Sequence, residues 1–119
     1  MNIKFLIPAI LSTLFIIYMS ARPEQQYLPI ASSTEQVISN LAHIPAFAVI
    51  TFCWLRSFTG YSKTSTYIII LGIFLFSISD ELHQSFVPGR TPSISDIGLD
   101  LIGMMIGFIV VSKLQKNPS

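Results

Sequence analysis

Long apolar segments alternate with short polar ones along the chain. The apolar segments run over approximately residues 3–19, 37–58, 66–87 and 94–111. They do not alternate with the period of two that strands of a membrane barrel show. A membrane-spanning helix needs about 17–25 residues, and each segment falls within that range. The pattern therefore predicts an all-α polytopic membrane protein with four transmembrane helices, which form a single domain over residues 1–119.

Composition and charge narrow the class of protein further. Hydrophobic residues make up 51% of the chain and charged residues only 11%, whereas soluble domains carry roughly 25% charge. The mean hydropathy is +0.65, so the apolar excess is expected to face lipid. A net charge of +1 argues against a nucleic-acid partner. The single cysteine, Cys53, excludes a disulfide framework within one chain.

The distribution of lysine and arginine predicts the orientation in the membrane, because short cytoplasmic segments are enriched in these residues. The amino end, the second loop and the carboxyl tail carry basic residues without acids, namely Lys4, Arg56, Lys63, Lys113 and Lys116. The first and third loops mix both signs around Arg22 and Arg90. We therefore expect a multi-pass protein of the inner (cytoplasmic) membrane, with both ends cytoplasmic and the first and third loops outside.

The first apolar segment has a second interpretation, a cleaved signal peptide. Lys4 supplies a charged start, but Met19-Ser20-Ala21 is a poor cleavage site. The apolar run also exceeds the core of about 7–15 residues that signal peptides have. These features favour a retained helix. At the third loop, Pro88 is expected to end the third helix near Val87.

Polar side chains from three predicted helices converge at the depth of the outer leaflet. The second helix begins there, the third ends there and the fourth begins there, because successive helices are antiparallel. Ionisable residues within a membrane are costly and are functional candidates by default. The residues concerned are His43 on the second helix, Asp80, Glu81, His83 and Gln84 on the third, and Asp96 and Asp100 on the fourth.

Helical spacing predicts that these side chains face the bundle interior. At about 100° per residue, the expected shared faces are Asp80, His83, Gln84 and Val87 on the third helix and Asp96, Asp100, Gly103 and Gly107 on the fourth. The two glycines form a small-xxx-small pair, which allows helices to approach closely. Structural interpretations stay open beside the functional one: Asp96 as a helix cap after Ser93, an ion pair of Asp80 or Glu81 with Arg90, and glycines that serve packing alone.

The run Asp80-Glu81-Leu82-His83-Gln84-Ser85-Phe86-Val87-Pro88-Gly89-Arg90, followed by Asp96 and the glycine-bearing helix, resembles the VanZ-like family. His43 followed by Phe47 also resembles that family's histidine-aromatic segment, and the likeness covers about residues 37–111. The resemblance implies a small membrane protein linked to resistance to teicoplanin and related lipoglycopeptides, or a cell-envelope protein whose biochemistry is not settled. It also implies a polar core made of Asp80, Glu81, His83, Gln84, Arg90 and Asp96. One position departs from the pattern: where asparagine is expected, this chain has Asp100.

Three functions fit these residues. The first is binding of a membrane lipid or lipid-linked envelope precursor, with His43, Gln84, Arg90, Asp96 and Asp100 as ligand-binding residues. The second is a membrane-embedded enzyme that acts on a phospholipid or polyprenyl-phosphate headgroup, with Asp80, Glu81 and His83 as catalytic residues. The third is a scaffold subunit or homo-oligomer that docks through the glycine face.

Cofactor use is weakly indicated by the sequence. The metalloprotease, hydrolase and nucleotide-binding motifs HExxH, GxSxG and the P-loop do not occur in it. Asp80 and His83 form only an i, i+3 pair, which gives weak support for a divalent metal, so we assign no metal ligands. The cofactor, if any, is left open.

Overall fold

The described part of the chain is built from four helices. A computed structural model describes residues 1–21, 41–58, 62–87 and 94–116. The helices are α1 (Ile3–Ala21), α2 (His43–Ser57), α3 (Lys63–Gln84) and α4 (Ile94–Lys116). All regular structure within these ranges is helical, which confirms the all-α prediction for the residues described.

Three of the helices are long and apolar enough to cross a membrane. They have mean hydropathies of 1.9 for Ile3–Ala21, 1.5 for Lys63–Gln84 and 2.0 for Ile94–Gln115. α2 has 15 residues, and the predicted start of this segment, residues 37–40, lies outside the described residues. The structure thus supports a membrane protein with three candidate spans, while the fourth span and the cytoplasmic ends stay predictions.

Local hydrogen bonds explain where α3 differs from its predicted bounds of 66–87. The helix begins at Lys63 because the Ser62 hydroxyl accepts a hydrogen bond from the Ser65 N–H at 3.1 Å, a side-chain cap that hydropathy does not detect. Its regular part ends at Gln84 and continues as a tighter turn, in which the Val87 N–H donates to the Gln84 carbonyl at 3.1 Å. Short i→i−3 bonds of this kind commonly close a helix.

Successive helices run antiparallel, so the starts of α1 and α3 share one end of the bundle with the ends of α2 and α4. At that end the Asn2 N–H donates to the Ser57 carbonyl at 2.6 Å. α2 makes the most extensive contacts, first with α4 and then with α1. α3 contacts each of the other three helices less extensively.

The glycine pair lies in the tight α2–α4 contact. A Cβ atom on Gly103 would collide with the backbone carbonyl oxygen of Ile44, and one on Gly107 would lie 2.6 Å from the carbonyl oxygen of Ala48. The two helix backbones therefore approach closely enough to exclude any larger side chain. The predicted packing role of the pair is confirmed.

The apolar core is small and most large apolar side chains point outward. Buried side chains of Phe47, Ile50, Ile73 and Met104 form its centre. Exposed large apolar residues occur along α1, α3 and α4. A soluble monomer rarely shows so much contiguous apolar surface, so the surface is suited to contact with lipid chains.

Candidate functional site

Polar side chains from all four helices meet at the end of the bundle opposite Asn2. The end of α1, the start of α2, the end of α3 and the start of α4 lie there, as the antiparallel order requires. We call this cluster the polar layer; it consists of Ser20, His43, Ser77, Asp80, Glu81, Gln84, Asp96 and Asp100. Except for the half-buried His43, each of these side chains is buried.

Asp100 joins three helices. It is fully buried at 0% exposure, and its Oδ1 lies 2.7 Å from His43 Nδ1. The Ser77 hydroxyl donates to its Oδ2 at 2.6 Å. The His43 ring stacks on Phe47, one turn further along α2, with ring centroids 6.5 Å apart. Both carboxylate oxygens therefore have partners, and the imidazole is held in one orientation from two sides.

A second set of hydrogen bonds joins α1 to α3. The Ser20 hydroxyl donates to Asp80 Oδ1. The Gln84 amide donates to Asp80 Oδ2 at 3.1 Å and to the Ser20 hydroxyl at 2.9 Å. Asp80 is 6% exposed. Burying a carboxylate without partners is costly, and these bonds offset that cost.

Most of the predicted site residues are brought together by the fold. His43, Asp80, Glu81, Gln84, Asp96 and Asp100 all belong to the polar layer. Glu81 and Asp96 are buried and lie within electrostatic range of His43. Arg90 and the predicted Pro88-Gly89 turn lie outside the described residues, so their roles stay predictions.

His83 requires a correction. We expected it to share the inward face of Asp80 and Gln84, but its side chain is exposed. Ser77, Asp80, Glu81 and Gln84 define the inward face of α3, and residue 83 is rotated roughly a third of a turn from the centre of that face. A catalytic role for His83 inside the polar layer therefore loses its geometric basis.

Ser20 and Ser77 were missed as site residues. Ser77 precedes Asp80 by three residues and Gln84 by seven, a spacing that places all three on one helical face. Ser20 ends the first apolar segment, at the depth where the other helices present polar groups. Both signals are present in the sequence, but serine is common in helices of membrane proteins, and neither signal points to these serines alone.

The polar layer is rich in acidic side chains. It contains four carboxyl groups, and His43 is the basic side chain among its described members. Within the described ranges, His, Cys, Asp and Glu side chains do not form a group of three suited to a metal ion. In the neutral ring, a hydrogen bond from Nδ1–H to Asp100 leaves Nε2 as the acceptor. The arrangement can accept hydrogen bonds from hydroxyl or ammonium groups, and His43 can accept a proton.

Comparison with known proteins gives one positive finding. Neither the curated proteins nor the solved structures contain a significant match to the chain. A family model described as VanZ/LLP1 matches residues 4–115, nearly the whole chain. This range includes every member of the polar layer and all four helices except their outermost residues, Ile3 and Lys116, and on that match the protein belongs to the VanZ/LLP1 family.

Proposed function

We propose that this VanZ-like membrane protein binds the headgroup of a membrane lipid or lipid-linked envelope precursor in the polar layer, at the outer leaflet of the cytoplasmic membrane. One observation carries the proposal: all four helices contribute polar side chains to one cluster, and every member except the half-buried His43 is buried. Polar groups are expensive inside a membrane. A cluster of eight residues at one end is more than helix association requires.

The proposed topology has four spans with both ends cytoplasmic. Basic side chains lie at the end of the bundle opposite the polar layer: Lys4, Arg56, Lys63 and Lys113. The rule that cytoplasmic segments are enriched in lysine and arginine then favours an outer position for the polar layer. α2 runs antiparallel to both α1 and α3, which supports its assignment as a span in addition to the three long helices.

Cysteine labelling in intact cells tests this topology. In a Cys53→Ala background, we expect Lys63→Cys and Ser119→Cys to be labelled only after the membrane is permeabilised, and Gly89→Cys to be labelled without it. Labelling of Lys63→Cys from outside would contradict the proposed orientation with both ends cytoplasmic, and with it the outer position of the polar layer.

Binding of a headgroup offers a physical explanation for the link between VanZ-like proteins and lipoglycopeptide resistance. Such drugs carry lipid tails, and a protein that holds a lipid or the drug's own anchor near the outer surface would weaken drug anchoring. Arg90, at the predicted outer turn, would add a planar donor pair suited to phosphate. We therefore expect Arg90→Lys to restore only part of the function of Arg90→Ala, because lysine lacks that geometry.

Lipid retention tests the proposed function directly. We expect the purified wild-type protein to retain lipid detectable by native mass spectrometry, and Gln84→Ala to retain less. Gln115→Ala is the matched control, since Gln115 is an exposed glutamine near the opposite end of α4. If wild type retains no lipid, or if both variants retain as much as wild type, the proposal is wrong.

The Asp100–His43 pair favours a second candidate function, hydrolysis of a lipid ester. His43 Nε2 would remove a proton from water while the water oxygen bonds to the carbonyl carbon or phosphorus. The ester bond would then break and the departing alcohol oxygen would take the proton. Headgroup composition of whole-cell lipids distinguishes the candidates: an enzyme predicts a product that disappears in His43→Ala, whereas binding alone predicts unchanged lipid species.

A further inference from the structure

An apolar cavity of about 310 Å³ lies between α1, α2 and α3. Its lining consists of Thr13 from α1, Ile50, Trp54 and Phe58 from α2, and Ile69, Gly72, Ile73 and Phe76 from α3. The cavity exists because α3 packs loosely on its neighbours, in contrast to the glycine-mediated contact of α2 with α4. It occupies the apolar part of the bundle, between the polar layer and the basic end.

The cavity reaches the underside of the polar layer. Phe76 lines the cavity, and its ring centroid lies 6.2 Å from that of Phe47, the residue on which His43 stacks. The next residue, Ser77, donates its hydroxyl to Asp100. Phe76 and Ser77 are consecutive residues of α3, so part of the apolar lining lies at nearly the same height along the bundle as the hydroxyl that binds Asp100. Along the bundle axis the polar layer is followed by the apolar cavity, an order that matches the headgroup and the hydrocarbon chain of an amphiphile.

The cavity lining favours hydrocarbon over water. Its two polar side chains already have partners, because the Trp54 indole N–H donates to the Thr13 hydroxyl at 3.0 Å and that hydroxyl donates to the Ala9 carbonyl at 2.8 Å. A buried water molecule needs about two to four polar partners, and apolar cavities without them stay dry. Gly72 is an exposed residue of the lining, and a Cβ atom there would meet nothing within 4 Å. The cavity is open at the surface of the bundle, and the space beside Gly72 is a place at which a lipid chain would enter.

We infer that this cavity holds one alkyl chain of the amphiphile whose headgroup lies in the polar layer. The inference rests on the proposed function and adds to it that the ligand is bound by its tail as well as its headgroup. A water molecule takes up about 30 Å³ in the liquid, and a methylene group is of similar size. The cavity thus accommodates a chain segment of roughly ten carbons.

Trp54 is the natural reporter, because it is the single tryptophan of the chain and lines the cavity. The protein is placed in phosphatidylcholine vesicles, and a lysophospholipid brominated at mid-chain is added in small mole fractions. Bromine quenches indole fluorescence on contact. A chain bound in the cavity should give quenching that saturates at low mole fraction. Lipid that merely surrounds the protein would instead quench in proportion to its abundance.

Gly72→Leu adds a large side chain to the lining of the cavity, and Gly98→Leu is its matched control. Both glycines are helical positions at which an added Cβ meets nothing within 4 Å, but Gly98 lies on α4, away from the cavity. We expect Gly72→Leu to raise the half-saturating mole fraction at least tenfold and Gly98→Leu to leave it unchanged. Helicity by circular dichroism checks that both variants fold.

The results separate this inference from the proposed function. Equal saturable quenching in wild type and Gly72→Leu, or quenching that never saturates, overturns the alkyl-chain site. Lipid retention that depends on Gln84 while Gly72→Leu has no effect would leave headgroup binding intact without the chain site. Saturable quenching that Gly72→Leu abolishes and Gln84→Ala does not change would support the chain site and contradict the headgroup proposal.

Discussion

Two interhelical contacts of this bundle are built in opposite ways. α2 and α4 meet backbone to backbone at Gly103 and Gly107. α3 presents large side chains such as Phe76 to its neighbours, leaves a cavity beside them and is connected to them by the hydrogen bonds of the polar layer. Lipid chains are as apolar as a helix surface, so burial alone drives little association between helices. Close backbone packing and polar connections are the two remaining means. The α2–α4 contact combines the glycine packing with the His43–Asp100 bond, whereas α3 relies on polar connections.

The largest effect is expected from Gly107→Leu, which attacks the close contact. A Cβ at this position would already lie 2.6 Å from a backbone oxygen, so the helices must separate. Overpacking typically costs about 1–3 kcal/mol, and we expect the upper end because backbone atoms cannot move aside. Unfolding in mixed micelles with increasing dodecyl sulfate measures the loss, with Gly98→Leu as control. Unchanged stability of Gly107→Leu would show that the contact tolerates expansion.

Asp100→Ala tests the polar connection at its fully buried centre. The change removes the acceptor shared by His43 and Ser77. Leaving buried donors unsatisfied costs about 1–3 kcal/mol, so we expect a loss of that order in the same unfolding assay. Asp100→Asn keeps one acceptor oxygen, and we expect it to lose less. If Asp100→Ala is as stable as wild type, the hydrogen bonds around Asp100 contribute nothing to packing.

The α1–α3 connection is expected to be weaker and can be isolated by a double-mutant cycle. Ser20→Ala and Asp80→Asn each disturb the bond between the two residues. Interhelical hydrogen bonds in membrane proteins average about 0.6 kcal/mol, with a maximum near 1.7. We expect a coupling energy within that range. A coupling indistinguishable from zero would mean that α3 is held against α1 by apolar contacts instead.

The smallest effect is expected at His83, and it sharpens the comparison between the two histidines. His83 is exposed on α3, whereas His43 is bonded to Asp100. His83→Ala should therefore leave stability and lipid retention unchanged, while His43→Ala should lower both. Equal loss of lipid in both variants would return His83 to the candidate site.

The sequence alone predicted which polar residues meet at one end of the bundle, because the order of antiparallel helices fixes the end at which each residue lies. His43, Asp80 and Asp100 fall at corresponding ends of successive apolar segments, so antiparallel helices bring them to one level. The inward face of the fourth helix was also predictable, since Gly103 and Gly107 mark it. The face of α3 was harder to assign, because Asp80, Glu81, His83 and Gln84 cover an arc of about 160° at about 100° per residue, with Glu81 and His83 at its two edges.

The chain by itself therefore determined that helices form, that their exposed surfaces suit lipid and which ends carry polar groups. These properties depend on local hydropathy and on connectivity, both of which are present in the order of residues. Tertiary structure decided that Ser20 and Ser77 join the polar layer, that His83 does not, and that a cavity remains beside Trp54. Those outcomes depend on the rotation of each helix about its axis and on the fit of its side chains against particular neighbours, and both are fixed only when the helices pack together.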